Sequence, residues 1–414
     1  MRSKPSLLST QLRWFMLAMV LANMGGGMYE QLLPLYLKQL DADVVQIGLF
    51  FTLIQILPLI LQILGGWISD SLGRLRSIAI GSVAGVFSYV AMILAPTWQW
   101  LLLGEGFLAI TRSLVGPSFG AFVAEQSSEG NRSKVFGIVE TVYMVVAVIG
   151  PPLGGTLAGA YGFRAMLLVA ASFYLVAAVI RVSMARVAAR GSESQPASLS
   201  LASLGATMGS VLALLLGGGL MTWIFITDGV SDVAYSLSFQ LMPLYLENPG
   251  NLSVAQIGWL GSVFGAVCML GGIPSGWFAD KWGERLAIAL GFGIHAVALV
   301  VFLCATGFWG YALSWGLFGL GNALRGPAYQ SLISRAVPQK LRGTAFGLFR
   351  SSLGVFSLPA PAIGAQLWER VSPRFPFQLT MGALFAAMIP VWLKFKTPKT
   401  SESANVEAGP DASA

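Results

Sequence analysis

The heptapeptide Gln31-Leu32-Leu33-Pro34-Leu35-Tyr36-Leu37 returns 209 residues later as Gln240-Leu241-Met242-Pro243-Leu244-Tyr245-Leu246. Moving outward, Gln46-Ile47-Gly48 returns as Gln256-Ile257-Gly258, now at an offset of 210. The same 210 carries Gly66-Trp67, Asp70 and Gly73 onto Gly276-Trp277, Asp280 and Gly283, and Gly116-Pro117 onto Gly326-Pro327. It also carries Arg132 onto Arg342, Phe136-Gly137 onto Phe346-Gly347, and Pro151 and Gly154 onto Pro361 and Gly364. An offset held this long marks two homologous halves.

Both halves belong in a membrane. The 414 residues are 55% hydrophobic and 10% charged, with a mean hydropathy of +0.72, too apolar and charge-poor for a soluble globular chain. Twelve helices of about 20 residues consume roughly 240 and leave roughly 170 for loops and tails. The apolar windows predict helices over 14–37, 46–68, 77–95, 99–122, 135–159, 164–185, 219–246, 256–278, 287–306, 309–333, 344–367 and 376–393. A soluble enzyme is excluded, and so is an outer-membrane barrel, whose strands alternate apolar and polar residues. The expected fold is an all-α membrane protein, with residues 1–185 as one six-helix bundle and 219–397 as the other. Residues 186–218 form a cytoplasmic linker with a possible interfacial segment, and 398–414 a disordered tail. Six is even, so both bundles insert the same way up, as a parallel repeat with a cleft between.

Orientation follows from Lys and Arg. With the N-terminus inside, 18 of the 25 basic residues (2, 4, 13, 74, 76, 132, 134, 181, 186, 190, 281, 285, 335, 340, 342, 394, 396 and 399) lie on the cytoplasmic side. Four (Lys38, Arg164, Arg370 and Arg374) lie outside, and Arg112, Arg325 and Arg350 lie within spans. Both termini are thus expected in the cytoplasm, with the chain in a bacterial inner membrane. The first span follows Arg2, Lys4 and Arg13 but is too long for a signal-peptide core, so it is expected to be retained. The net charge of +7 is read as topology, and no basic patch interleaved with aromatics calls for nucleic acid. Cys268 and Cys304 lie in apolar runs, which argues against a disulfide framework or a thiolate metal site.

The loop after the second helix reads Gly66, Asp70, Gly73 and Arg74, followed by Arg76; its copy reads Gly276, Asp280, Lys281, Gly283 and Arg285. The fourth helix carries Arg112 and Gly116, and the fifth carries Gly150-Pro151-Pro152-Leu153-Gly154-Gly155. This set resembles the major facilitator superfamily, and the fifth-helix stretch is similar to a motif associated with its exporters. Two positions depart: Ser71 stands where a basic residue is usual, and Val146 where a leading Gly is expected. The resemblance implies a secondary transporter working by alternating access, with helices 1, 4, 7 and 10 around a central cavity. It also implies a cytoplasmic gate where helix 11 lies beside helix 2 and helix 5 beside helix 8. Asp70 would then meet Arg350, Glu140 would meet Lys281 or Arg285, Glu125 would hold Arg74, and Asp280 would stand at the equivalent place in the second half.

Eight ionised side chains fall within spans: Glu30, Glu105, Arg112, Glu140, Asp228, Asp232, Arg325 and Arg350. Each costs about 2.5 to 3.5 kcal/mol near a helix centre before pairing, so a passive scaffold has little reason to keep them. Spacing puts Glu105 and Arg112 on one face, seven residues apart, and likewise Asp228 and Asp232, four apart. Four acids (Glu30, Glu105, Asp228 and Asp232) face two arginines (Arg112 and Arg325), which leaves carboxylates unneutralised and able to carry protons. Asp232 ranks first and Glu30 second, on symmetry-related helices, with Arg112 tuning the site. Tyr29, Tyr36, Tyr143, Tyr235, Tyr245 and Trp315 are candidate cavity walls for amphipathic molecules, or else packing residues. His295 reads as a packed or hydrogen-bonded residue, and Pro151 with Pro152 as a break in the fifth helix.

No Gly-Lys pair exists for an ATP-binding loop, and one histidine excludes a His-Glu-x-x-His metal site. No cofactor, metal or enzymatic activity is expected. The leading expectation is proton-coupled efflux of small amphipathic organic molecules by a functional monomer whose partners are substrate, protons and the lipid bilayer. The alternatives are uptake or facilitated diffusion of a sugar or organic anion, with Arg112 and Arg325 as contacts, and a non-transporting membrane sensor.

Overall fold

The computed structural model describes residues 9–127, 131–189, 219–336, 354 and 356–395, without the side chains of 62–72, 132–133, 188–189 and 335–336. Among the described residues the helical segments fall into twelve successive units, six in each half. The first half contains α1 (Thr10–Tyr29, continued by a 3-10 turn Glu30–Leu32 and a short helix Leu33–Gln39), α2 (Val44–Leu72), α3 (Arg74–Leu94), α4 (Trp98–Glu125), α5 (Arg132–Tyr161) and α6 (Phe163–Ala189). The second contains α7 (Leu220–Ser238, continued by Phe239–Leu241 and Met242–Glu247), α8 (Val254–Trp282), α9 (Glu284–Cys304), α10 (Gly307–Ala336), α11 (Ala360–Arg370) and α12 (Phe375–Lys394). Among the described residues there is no strand. The face with the 72–74 and 282–284 turns carries most of the basic residues and is called the basic face; the other is the opposite face.

The repeated sequences do the same local work twice. In Gln-Ile-Gly the glutamine closes a capping box: Asp43 and Gln46 exchange hydrogen bonds of 2.7 and 3.0 Å at the start of α2, as Ser253 and Gln256 do at α8 with 3.3 and 2.9 Å. The isoleucines, Ile47 and Ile257, are buried. The glycines, Gly48 and Gly258, let the other half approach so closely that a Cβ would strike Pro361 and Pro151 carbonyls respectively, about where Ala365 and Gly155 pack. Gly73 and Gly283, with φ of 85° and 91°, make the tight turns that a side chain would strain.

Prolines act in two ways. Pro34 and Pro243 lack the N–H that would bond the carbonyl one turn back, and α1 and α7 each pass through a 3-10 turn just before them. The single helices expected over 14–37 and 219–246 are therefore each two pieces. The expected break at Pro151 and Pro152 does not occur, since α5 runs unbroken from Arg132 to Tyr161. Pro152 frees the Val148 carbonyl, and Ser262 Oγ of α8 donates to it at 2.5 Å. Gly265 of α8 packs beside the Ala147 carbonyl, the one freed by Pro151, where an added Cβ would meet that oxygen at 3.0 Å. The neighbouring helix thus satisfies the Val148 carbonyl.

Eight helices are apolar enough to qualify as spans by composition, whereas α1, α7, α10 and α11 do not among the described residues. Asp228 and Asp232 lie on α7 and Arg325 on α10, whereas Glu105, Arg112 and Glu140 lie on α4 and α5, which do qualify. Arg181, counted above as a cytoplasmic flank, is in fact 3% exposed inside α6. The helix continues to Ala189, two turns past it, and the guanidinium lies between Ser82 Oγ at 3.3 Å and Tyr174. The part of the eleventh expected helix over 344–353, and the linker from 190 to 218, lie outside the described residues.

Along two pseudo-symmetric seams, α2 meets α11 and α5 meets α8. Among the described residues, the hydrogen bonds joining the halves all lie between mid-membrane and the opposite face. They include Gln31 Nε2 to the Ile257 carbonyl, the Ala362 N–H to Thr52 Oγ1, and Lys38 Nζ to Glu247 Oε2 at 2.6 Å. Lys38 and Glu247 are repeat partners at an offset of 209, so this ion pair ties the halves together between equivalent positions.

Candidate functional site

Between the halves, on the inner side of the hydrogen bonds that join them, lies a cavity of about 1000 Å³. Its charged lining residues, among those described, are Glu30 from the break in α1, Glu105 and Arg112 from α4, and Arg325 from α10. Arg112 lies about 20 Å from either end of its helix at 1.5 Å per residue.

Arg112 Nη2 donates to Glu30 Oε1 at 2.5 Å. Each side chain leaves 55% of its surface open, although both stand well inside the span. That exposure is to the cavity, which makes this ion pair accessible to a ligand or a proton. Local sequence positions the carboxylate: Glu30 opens the 3-10 turn before Pro34. Glu30 therefore bends across to Arg112 instead of reaching for the membrane surface.

Glu105 stands two turns from Arg112 toward the opposite face and is 7% exposed, beside Tyr29 and Tyr89. Its carboxylate has no ion pair or hydrogen bond among the described residues. An isolated carboxylate in such surroundings is expensive, whereas the neutral acid is not.

On the other wall Arg325 lies 4.5 Å over the Phe292 ring and 5.8 Å from that of Tyr235. Among the described residues its Nε and Nη1 have no hydrogen-bond partner. Asn322, the repeat partner of Arg112, reaches Cys268 Sγ at 3.6 Å. His295 is packed as expected, with Nδ1 2.8 Å from the Gly291 carbonyl and its ring edge-on to Tyr235.

Asp228 and Asp232 lie off this wall. They are half-buried on α7, next to the Tyr329 and Ser357 hydroxyls respectively, and close enough to Arg325 to feel its charge without an ion pair. The cavity thus brings together Glu30, Glu105, Arg112 and Arg325 but not the two aspartates. Of the six candidate wall aromatics, Tyr235 and Trp315 line it; Phe51, Phe239, Phe264 and Phe318 supply the rest. Sequence reasoning also passed over Gln31 and Gln240, which line the cavity from equivalent positions. The signal was the repeat itself, which opens on that glutamine both times.

Of the gate residues, Arg74 Nε reaches Glu125 Oε1 at 3.4 Å, joining α3 to α4 within the first half. Glu140 and Asp280 are exposed. Lys281 lies 4.8 Å over Trp277, and Arg285 lies 4.2 Å over Trp392, so neither meets Glu140. The Asp70 side chain and Arg350 lie outside what the structure describes. Gly150 packs on Gly27, Gly154 on the Met28 backbone and Gly155 on Gly258, with Pro151 against Gly261. The fifth-helix motif is therefore the surface by which α5 touches both α1 and α8.

A family model described as Major Facilitator Superfamily matches residues 15–199 and 224–413. The multidrug resistance protein MdtG of Proteus mirabilis (strain HI4320) is 25% identical over 397 residues, 93% of this chain and 95% of that protein. The class C tetracycline resistance protein of Escherichia coli is 25% identical over 344 residues, 82% and 85% of the two chains. Among solved structures, a bacterial homologue of the iron transporter ferroportin in an inward-facing state has a TM-score of 0.74 at 14% identity, covering 92% of this chain and 98% of that one. A peptide transporter POT in complex with sulfate has a TM-score of 0.70 at 17% identity, covering 92% of each chain.

Proposed function

The chain belongs to the major facilitator superfamily, and on that premise we propose that it exports small amphipathic organic molecules in exchange for protons, with its basic face in the cytoplasm. The observation that carries this is the cavity between the halves, in which a Glu30–Arg112 ion pair and a buried Glu105 share one wall with an apolar surround. Without Arg181, the basic residues still divide 17 to 4 between the two sides, which supports cytoplasmic termini. In that orientation the closed opposite face is extracellular and the conformation is inward-facing, ready to load from the cytoplasm. The names of the bacterial relatives, multidrug and tetracycline resistance, favour export across the inner membrane.

Glu105 takes the first place as proton carrier, ahead of Asp232, because it lines the cavity and has no counter-charge of its own. Glu30 is second, since protonating it releases Arg112. Asp228 and Asp232 tune Arg325. When substrate binding favours the deprotonated site, each ligand expels the other, which is antiport by linkage. The outward-facing state then requires the Lys38–Glu247 tie to break and the basic-face ends to close, with Asp70 near Arg350 and Glu140 near Lys281 or Arg285. Purified protein in proteoliposomes, challenged with amphipathic dyes under an imposed pH gradient, tests the proposal; gradient-driven accumulation is expected. Dye movement that is equal with and without the gradient overturns the proton coupling, and no dye movement overturns the export.

A further inference from the structure

The cavity walls carry opposite charge. On the first-half wall Glu30 cancels Arg112, which leaves Glu105 as the surplus group. On the second-half wall Arg325 is the charged lining residue among those described. Arg325 is positioned, but among the described residues its Nε and Nη1 are not satisfied. Its stem lies against Gly291, where any Cβ would crowd it, and its plane rests on Phe292 at 4.5 Å. Stacking fixes a guanidinium without consuming its five N–H donors. Asp228 and Asp232 lie near it without an ion pair, next to the Tyr329 and Ser357 hydroxyls. Phe264, Trp315 and Phe318, all from the second half, give the same cavity its apolar surface.

We propose that the cavity is a two-pole site for amphipathic zwitterions, whose anionic group is taken by Arg325 and whose protonated amine is taken by Glu105, with an apolar body between them. This rests on the cavity being the transport site and names its substrate class. A guanidinium binds a carboxylate, sulfonate or phosphonate with paired hydrogen bonds. Glu105 can hold either a proton or a substrate ammonium, not both. Substrate binding therefore displaces the proton by direct competition, and antiport follows without a separate coupling site.

The test uses four probes built on one body: 4-[4-(aminomethyl)phenyl]butanoate, 4-phenylbutanoate, 4-butylbenzylamine and 4-phenylbutanol. Their binding to the detergent-purified full chain is measured by titration calorimetry in two buffers of different ionisation enthalpy, which counts protons released. The zwitterion is expected to bind at least tenfold tighter than the alcohol and to release close to one proton. Arg325→Gln should remove the advantage of the carboxylate probes only, and Arg325→Lys should restore part of it. Glu105→Gln should remove the advantage of the amine probes, together with their proton release. A Tm of the purified protein within a few degrees of wild type in each variant reports an intact fold. Carboxylate binding indifferent to Arg325→Gln, or amine binding without proton release, overturns the two-pole site while leaving amphiphile export standing. Failure of all four probes, the alcohol included, counts against both.

Discussion

Glu105 and Arg112 occupy one face of one helix, yet the structure gives them different neighbours. Arg112 has a partner across the cavity in Glu30 at 2.5 Å, whereas Glu105, beside Tyr29 and Tyr89, has no ion pair or hydrogen bond among the described residues. Charge matching alone, four acids against two arginines, did not separate them, because sequence does not say which side of α7 faces inward. Asp228 and Asp232 carry the same chemistry as Glu105 but are turned toward Tyr329 and Ser357. The roles divide accordingly. Glu105→Gln should abolish pH-driven substrate accumulation while leaving counterflow exchange at least partly intact. Asp232→Asn should change accumulation by a few fold only. Both are read by dye transport in proteoliposomes, and the reverse ranking would return the proton to α7.

At the level of elements, the seams explain why the repeat kept its glycines. Gly258 faces Gly155 and the Pro151 carbonyl, so Gly258→Val should hold α5 and α8 apart at the opposite face. Cysteines placed in the cavity should then become more reactive to an impermeant reagent from that side. Ser262→Ala leaves the Val148 carbonyl, already deprived by Pro152, without its donor. An unsatisfied buried group costs about 1 to 3 kcal/mol, measurable as a lower Tm of the purified protein. Here the sequence was legible in part. The capping boxes, turn glycines and twelve crossings follow from local patterns written twice. The unbroken α5 does not, because the group that repairs its prolines belongs to α8, more than a hundred residues away. Arg181 was misplaced for a similar reason: a charge two turns from a helix end reads as a flank until Ser82 and Tyr174 are seen to receive it.

For the whole molecule, the proposed cycle is an exchange between two ways of pressing the halves together. The opposite face is closed by glycine seams and by Lys38 on Glu247, a pair with about a third of each side chain exposed. Such a pair is worth roughly 0 to 1 kcal/mol, weak enough to open in every turnover. Lys38→Glu should favour the outward-facing state, and adding Glu247→Lys should reverse much of the shift, as followed by distance measurements between spin labels on the two halves. Topology is checked by a cysteine at Ser192 in a chain lacking Cys268 and Cys304, which an impermeant reagent should label only from the cytoplasmic side. The most direct test of proton-coupled export is uptake of an amphipathic dye into inverted membrane vesicles with the lumen held acidic and the membrane potential clamped. Accumulation that collapses when the pH gradient is dissipated, and that is absent with Glu105→Gln, is the predicted result; wild-type uptake indifferent to the gradient would contradict it.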